Sequence, residues 1–129
     1  VAYIDVDSFK KINDQFGHAE GDLTLRVIAQ ALTCSVRQTD TVARIGGDEF
    51  AILLPDTDQN GTMAVMNKVQ KNLMEVMVRT KSNATFSIGV ITFTHPPASV
   101  DELLQKADKV MYEVKSKGKN GIEFVYIYQ

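Results

Sequence analysis

The chain has little of what would mark it as secreted, membrane-spanning or bound to nucleic acid. It holds one cysteine, Cys34, so no disulfide framework supports it and a reduced compartment suits it. Cys34 falls in a helical stretch and reads as a core or near-core thiol. Tryptophan is absent, prolines number 3, and no repeat, low-complexity tract or linker is visible. No apolar run approaches the roughly 20 residues that cross a bilayer. No signal peptide is visible either, so a cytoplasmic location without membrane contact is expected. The formal net charge of −2 argues against a nonspecific nucleic-acid binder. The 14 lysines and arginines still suffice for a local basic patch around an anionic ligand.

At 129 residues and 44% hydrophobic, the chain has room for one globular domain with a full core. Residues 1–6 are apolar and β-prone, as in a buried strand. A short helix over 8–16, a turn at Gly17 and a longer helix over about 21–36 follow; Leu23, Val27, Ile28, Ala31 and Leu32 give the longer helix its apolar face. Residues 42–45 and 50–54 read as strands of a hairpin, with Gly46-Gly47 permitting a tight turn at positive φ. A helix over about 60–78 carries Met63, Met66, Val69, Leu73 and Met77, its methionines read as core filler. Residues 84–93 read as a strand, and Pro96-Pro97 break the chain. Ser99 to Glu102 form a capping box for a helix to about 117, with Gly118 as its stop, and 122–127 form a last strand. The order β-α-α-β-β-α-β-α-β predicts an α/β sandwich with a ferredoxin-like β-α-β-β-α-β core and a mostly antiparallel sheet.

The chemistry concentrates at two strand ends. Asp5 and Asp7 close the first strand, and a carboxylate there is costly unless paired or bound to a cation. Asp48 follows the glycine pair and would converge with Asp5 if the two strands are neighbours. Oxygen-only ligands of this kind suit Mg²⁺, which takes few carboxylates and keeps waters or substrate phosphates. The helix start at Ser8 and Phe9, with Lys10, offers amides and a positive charge to a phosphate. The plainer alternative is ordinary hairpin chemistry with solvated acidic tips. Asp7 or Ser8 is the natural N-cap, and we read Asp7 as such.

These segments, read together, resemble one family. They are Asp5-Val6-Asp7-Ser8-Phe9-Lys10-Lys11-Ile12-Asn13-Asp14, Phe16-Gly17-His18, Gly21-Asp22, Arg44-Ile45-Gly46-Gly47-Asp48-Glu49-Phe50, Phe86-Ser87-Ile88-Gly89-Val90, and Ala107-Asp108 with Met111-Tyr112 and Lys115. They look like the GGDEF family of diguanylate cyclases, in family order from residue 1 to about 121. The resemblance implies the cyclase form of the sandwich, shared with polymerase palms. It also implies a single catalytic domain over 1–129, as a fragment without the family's preceding helix and any sensory domain.

The resemblance also implies roles. Asp5 and the backbone carbonyl of Val6 match metal positions. Asp48 matches a metal ligand and the base that takes the 3′-hydroxyl proton, and Glu49 a support for metal or its waters. Two Mg²⁺ ions per site are implied, with Mn²⁺ as an alternative. Asn13 and Asp22 match guanine contacts, with His18 in the same substrate stretch. Asp22 can accept from both guanine N1–H and its amine, which adenine does not offer. The alternative makes Asn13 a helix end and Asp22 an N-cap. Phosphate contacts fall to Ser8, Phe9, Lys10, Lys115 and Lys119, although Lys115 and Lys119 also suit a helix C-terminus. Lys119 stands where the family commonly has arginine, which keeps the charge and loses the bidentate fork. Arg37 and Asp40 match an inhibitory Arg-x-x-Asp site for product, with a local ion pair as the alternative.

The expected function is the condensation of two GTP into cyclic di-GMP and two pyrophosphates, by a homodimer in which each subunit holds half the centre. The competing reading is a noncatalytic sensor of GTP or cyclic di-GMP, and a third is a dimerisation module. The intact Gly46-Gly47-Asp48-Glu49-Phe50 speaks against both.

Overall fold

The computed structural model describes residues 1–80 and 83–128; Lys81, Ser82 and Gln129 lie outside the described residues. The elements run β1 (Ala2–Val6), α1 (Phe9–Phe16), α2 (His18–Ser35), β2 (Thr41–Arg44), β3 (Glu49–Leu53), α3 (Gln59–Arg79), β4 (Phe86–Phe93), α4 (Val100–Ser116) and β5 (Gly121–Ile127). The sheet order is β2-β3-β1-β4-β5. β1 is antiparallel to β3 and to β4, and β2 is antiparallel to β3, while β4 and β5 are parallel. The first four strands thus form the predicted β-α-β-β-α-β core, extended by α4 and β5.

β1 is buried on both faces, which is why it reads as a continuous apolar run. Ala2, Ile4 and Val6 join the main core with residues of α1, α2 and α3, including Ile12, Leu25, Ile28, Met66, Val69 and Leu73. Tyr3 faces the other way and packs on Ala107 and Met111 of α4. Strand alternation puts Asp5 on the Tyr3 face. α4 lies backbone-close on the sheet because Gly89 has no side chain: a Cβ there would come within 2.8 Å of the Ala107 carbonyl oxygen.

Several local expectations need correction. α2 begins at His18, directly after Gly17 at φ 90°, so Asp22 sits inside the helix and is not its N-cap. Its buried stripe is Gly21, Thr24, Leu25, Ile28, Ala31, Leu32 and Ser35. Leu23 and Cys34 lie off that stripe and are exposed, so Cys34 is not a core thiol. Met63 is exposed too, whereas Met66 and Met77 fill the core as expected. Gly46 and Gly47 are outside the left-handed region, so the hairpin does not depend on positive φ. Gly46 is small for another reason: a Cβ there would approach the Glu49 carboxylate to 3.0 Å. At α4 the Ser99 hydroxyl accepts from the Glu102 N–H, and Gly118 at φ 115° follows the helix, both as predicted.

Candidate active site

The C-terminal end of β1, the β2–β3 turn and the C-terminal end of α4 meet at one edge of the fold. In the β1–β3 ladder Asp5 is the direct partner of Glu49, so both carboxylates leave the sheet on the α4 face. Asp48 closes the ladder: its carbonyl accepts from the Val6 N–H at 3.1 Å. Its charge acts on both Asp5 and Glu49. The turn is held by Arg44, whose guanidinium donates to the Gly46 and Gly47 carbonyls at 2.8–3.2 Å. Arg44 has no role that its local sequence states; its place just before two glycines is the available signal.

Asp5 is 6% exposed. Lys115 of α4 forms an ion pair with its Oδ2, while Oδ1 is buried with no hydrogen-bond partner. Burial raises the Asp5 pKa to about 6, against the Lys115 hydrogen bond and with help from Asp48 and Glu49. Burial disfavours the Lys115 charge, but the Asp5 carboxylate outweighs it and the net shift is upward. Glu49 is also raised, by burial and then by Asp108 and Asp48. Tyr3 is pushed up to about 12 by burial and by the Glu49 charge.

This donor set fits a hard cation. Its atoms are oxygens, and Asp5 Oδ1 is a buried acceptor that a cation would satisfy. Among the described residues no group of 3 or more His, Cys, Asp or Glu side chains forms a metal cluster.

The phosphate candidates gather beside it. Ser8 sits at φ 57°, ahead of α1, and its side chain makes no capping bond. Asp7 is not a cap either: Thr85, Ser87 and the Asn120 backbone N–H donate to its carboxylate. Lys119 Nζ lies 3.3 Å from Ser8 Oγ, so Lys119 and Ser8 are together. Lys10 is exposed on α1 nearby in sequence, and Phe9 packs against the core edge.

Of the base candidates, Asn13 packs against Gly21. The Asn13 side chain occupies the space a Gly21 Cβ would need, with the Phe9 ring 3.2 Å from that point. Asp22, next along α2, lines a groove of about 440 Å³ with Leu25, Arg26, Val42, Arg44 and Phe50. His18 is exposed at the start of α2.

Arg37 and Asp40 stand apart from this centre. Arg37 donates through Nε and Nη2 to the Asp40 carboxylate at 3.2 and 3.0 Å, and Nη2 also reaches Thr57 Oγ1 at 2.8 Å. The Arg37 hydrogen bond holds the Asp40 carboxyl below the usual carboxylate range.

Known proteins share the signature and the fold of this chain. The family described as "Diguanylate cyclase, GGDEF domain" matches residues 1–121. Diguanylate cyclase A of Treponema denticola is 38% identical over 125 residues, covering 95% of this chain and 34% of that protein. The chain therefore spans about a third of that relative's length. Among solved structures, diguanylate cyclase SiaD from Pseudomonas aeruginosa, in complex with its activator SiaC, superposes with a TM-score of 0.83 at 31% identity, over 95% of this chain and 48% of that one. The GGDEF domain of DgcB from Caulobacter crescentus, in complex with c-di-GMP, gives 0.79 at 27% identity, over 95% and 75%. No helix among the described residues is long and apolar enough to cross a membrane. The matched signature and its fold together place the chain in the GGDEF diguanylate cyclase family.

Proposed function

We propose that residues 1–129 form a single diguanylate cyclase domain acting in the cytoplasm, which condenses two GTP into cyclic di-GMP and two pyrophosphates. The observation that carries this reading is the pairing of Asp5 with Glu49 beside Asp48, with a buried acceptor oxygen left open. Asp5, the Val6 carbonyl, Asp48 and Glu49 would hold Mg²⁺, two ions per site, or Mn²⁺. When bound, the metal neutralises the triphosphate and acidifies the attacking hydroxyl.

The chain's own groups do the rest. Asp48 accepts the 3′-hydroxyl proton, and Glu49 supports the ion's ligands. Asn13 and Asp22 select guanine, with His18 beside them. The amides of Ser8 and Phe9, with Lys10, Lys115 and Lys119, hold the triphosphate. Lys115 pairs with the Asp5 carboxylate, and a nucleotide's phosphates would draw it away. Each subunit carries one GTP, so two copies must face each other for the two 3′-hydroxyls to reach the two α-phosphates. Arg37 and Asp40 form the product-inhibition site. A sensor would not need an intact Asp48-Glu49 pair, which disfavours that reading.

The test is to incubate the purified chain with GTP and Mg²⁺ across a range of protein concentrations and resolve the nucleotides by chromatography. Cyclic di-GMP forming faster than in proportion to protein supports the dimeric cyclase, and Asp48→Ala should abolish it. Intact GTP at high protein concentration would overturn the reading.

A further inference from the structure

We infer that Asp7 is a positioning residue that locks the α4–β5 loop in place for Lys119, an inference resting on the phosphate role proposed above. Asp7 is 5% exposed, and its carboxylate takes its hydrogen bonds from Thr85, Ser87 and Asn120. Its Oδ1 accepts from Ser87 Oγ at 2.6 Å. Its Oδ2 accepts from Thr85 Oγ1 at 2.7 Å and from the Asn120 backbone N–H at 3.0 Å. The Asp7 N–H also donates to the Thr85 carbonyl at 2.9 Å. Two strand ends and one distant loop are therefore tied to one carboxylate.

The loop needs such a tie. Gly118, Lys119 and Asn120 lie in succession at φ 115°, 65° and 46°. A left-handed conformation is costly for a lysine and persists only where surroundings impose it. One end of the run is pinned where the Lys119 N–H donates to the Val114 carbonyl at 3.1 Å. The other is pinned at Asn120 by Asp7. Between these two pins, Lys119 Nζ is delivered to Ser8 Oγ, across a sequence separation of 111 residues. A charged acceptor makes the stronger kind of backbone hydrogen bond, which suits a pin that must hold strained residues. Without it Lys119 keeps its charge and loses its place.

The experiment compares binding of guanosine, which has no phosphate, with binding of a non-cleavable α,β-methylene analogue of GTP, by ligand-detected NMR and calorimetry. Asp7→Ala should weaken the analogue about tenfold or more and leave guanosine nearly unchanged. Asp7→Asn keeps one oxygen for the Asn120 N–H and can donate to Ser87, so it should recover most of the loss. In a Lys119→Ala background, Asp7→Ala should have almost no further effect, because both changes remove one contact. If Asp7→Ala does not fold, Asn120→Ala, which keeps the backbone N–H but holds the φ 46° conformation less readily than asparagine, should give a selective loss of the same kind. Equal losses for both ligands, no loss, or additive effects with Lys119→Ala would overturn the assignment. A wild-type chain that binds neither ligand would instead overturn the guanine-nucleotide reading, and this inference with it.

Discussion

Asp5 of β1 and Glu49 of β3 are direct cross-strand partners, and Lys115 offsets their shared negative charge at the Asp5 side. Two carboxylates opposite one another are destabilising unless a cation intervenes. The pair therefore stores an affinity for positive charge at the place where the sheet, the hairpin turn and α4 meet.

The pKa of Asp5 gives that affinity a sign. A carboxyl raised to about 6 holds its proton in the folded state over a range where the unfolded chain has lost it. Its contribution to stability is fully present below the ordinary carboxylate range and is lost as pH rises through about 6. A divalent cation that binds the ionised form should restore it. Mn²⁺ should raise the melting temperature clearly at pH 7.5 and much less at pH 5, with the apparent dissociation constant rising by up to about tenfold per pH unit below 6. Thermal denaturation with and without Mn²⁺ measures this. Equal shifts at both pH values would count against Asp5 as a ligand.

Asp22 is expected to set base choice. Replacing it with Ala removes a charged acceptor, and guanine-nucleotide binding should fall about 10- to 100-fold while adenine nucleotides change little. Gly21→Ala should act on the same property indirectly, because its new methyl would displace the Asn13 side chain. Competition between GTP and ATP analogues reads both. An unaltered guanine preference in Asp22→Ala would remove the residue from the base site.

Arg37 is exposed, and its bonds to Asp40, Pro55 and Thr57 all lie at the surface, so Arg37→Ala should leave thermal stability almost unchanged. Its predicted effect is on regulation: cyclic di-GMP should inhibit the variant more weakly. Initial rates at increasing product concentration decide the point, and an unchanged inhibition constant would reduce Arg37 and Asp40 to an ion pair.

Gly89→Ala should destabilise the fold without touching any proposed ligand. The added methyl meets the backbone of α4 at Ala107, Val110 and Met111, which cannot rotate away as a side chain would. Overpacking of this kind costs about 1–3 kcal/mol or more, visible as a lower denaturation midpoint. A midpoint within error of the wild type would mean that α4 shifts freely on the sheet.

Much of this was legible in the chain. The apolar run 1–6, the capping box at Ser99 and the stop at Gly118 are local signals, and each element formed within a few residues of its predicted bounds. The candidate metal residues were legible as motifs, although what Asp5 meets was not. Asp7 shows the limit. Next to Ser8 it looks like a helix cap, because capping is the commonest local use of aspartate. Its actual partners, Thr85, Ser87 and Asn120, lie 78, 80 and 113 residues away.

The sequence by itself determined the element order, the two-faced burial of β1 and the carboxylates at the strand end and turn, because periodicity and turn chemistry act over a few residues. Tertiary structure alone decided which strands became neighbours, and so which charges meet. The order β2-β3-β1-β4-β5 sets Glu49 opposite Asp5, lays α4 over Gly89 so that Lys115 reaches Asp5, and brings Lys119 to Ser8. Strand pairing and close helix-to-sheet packing are non-local, so the identity of each residue's partner is written only in the folded chain.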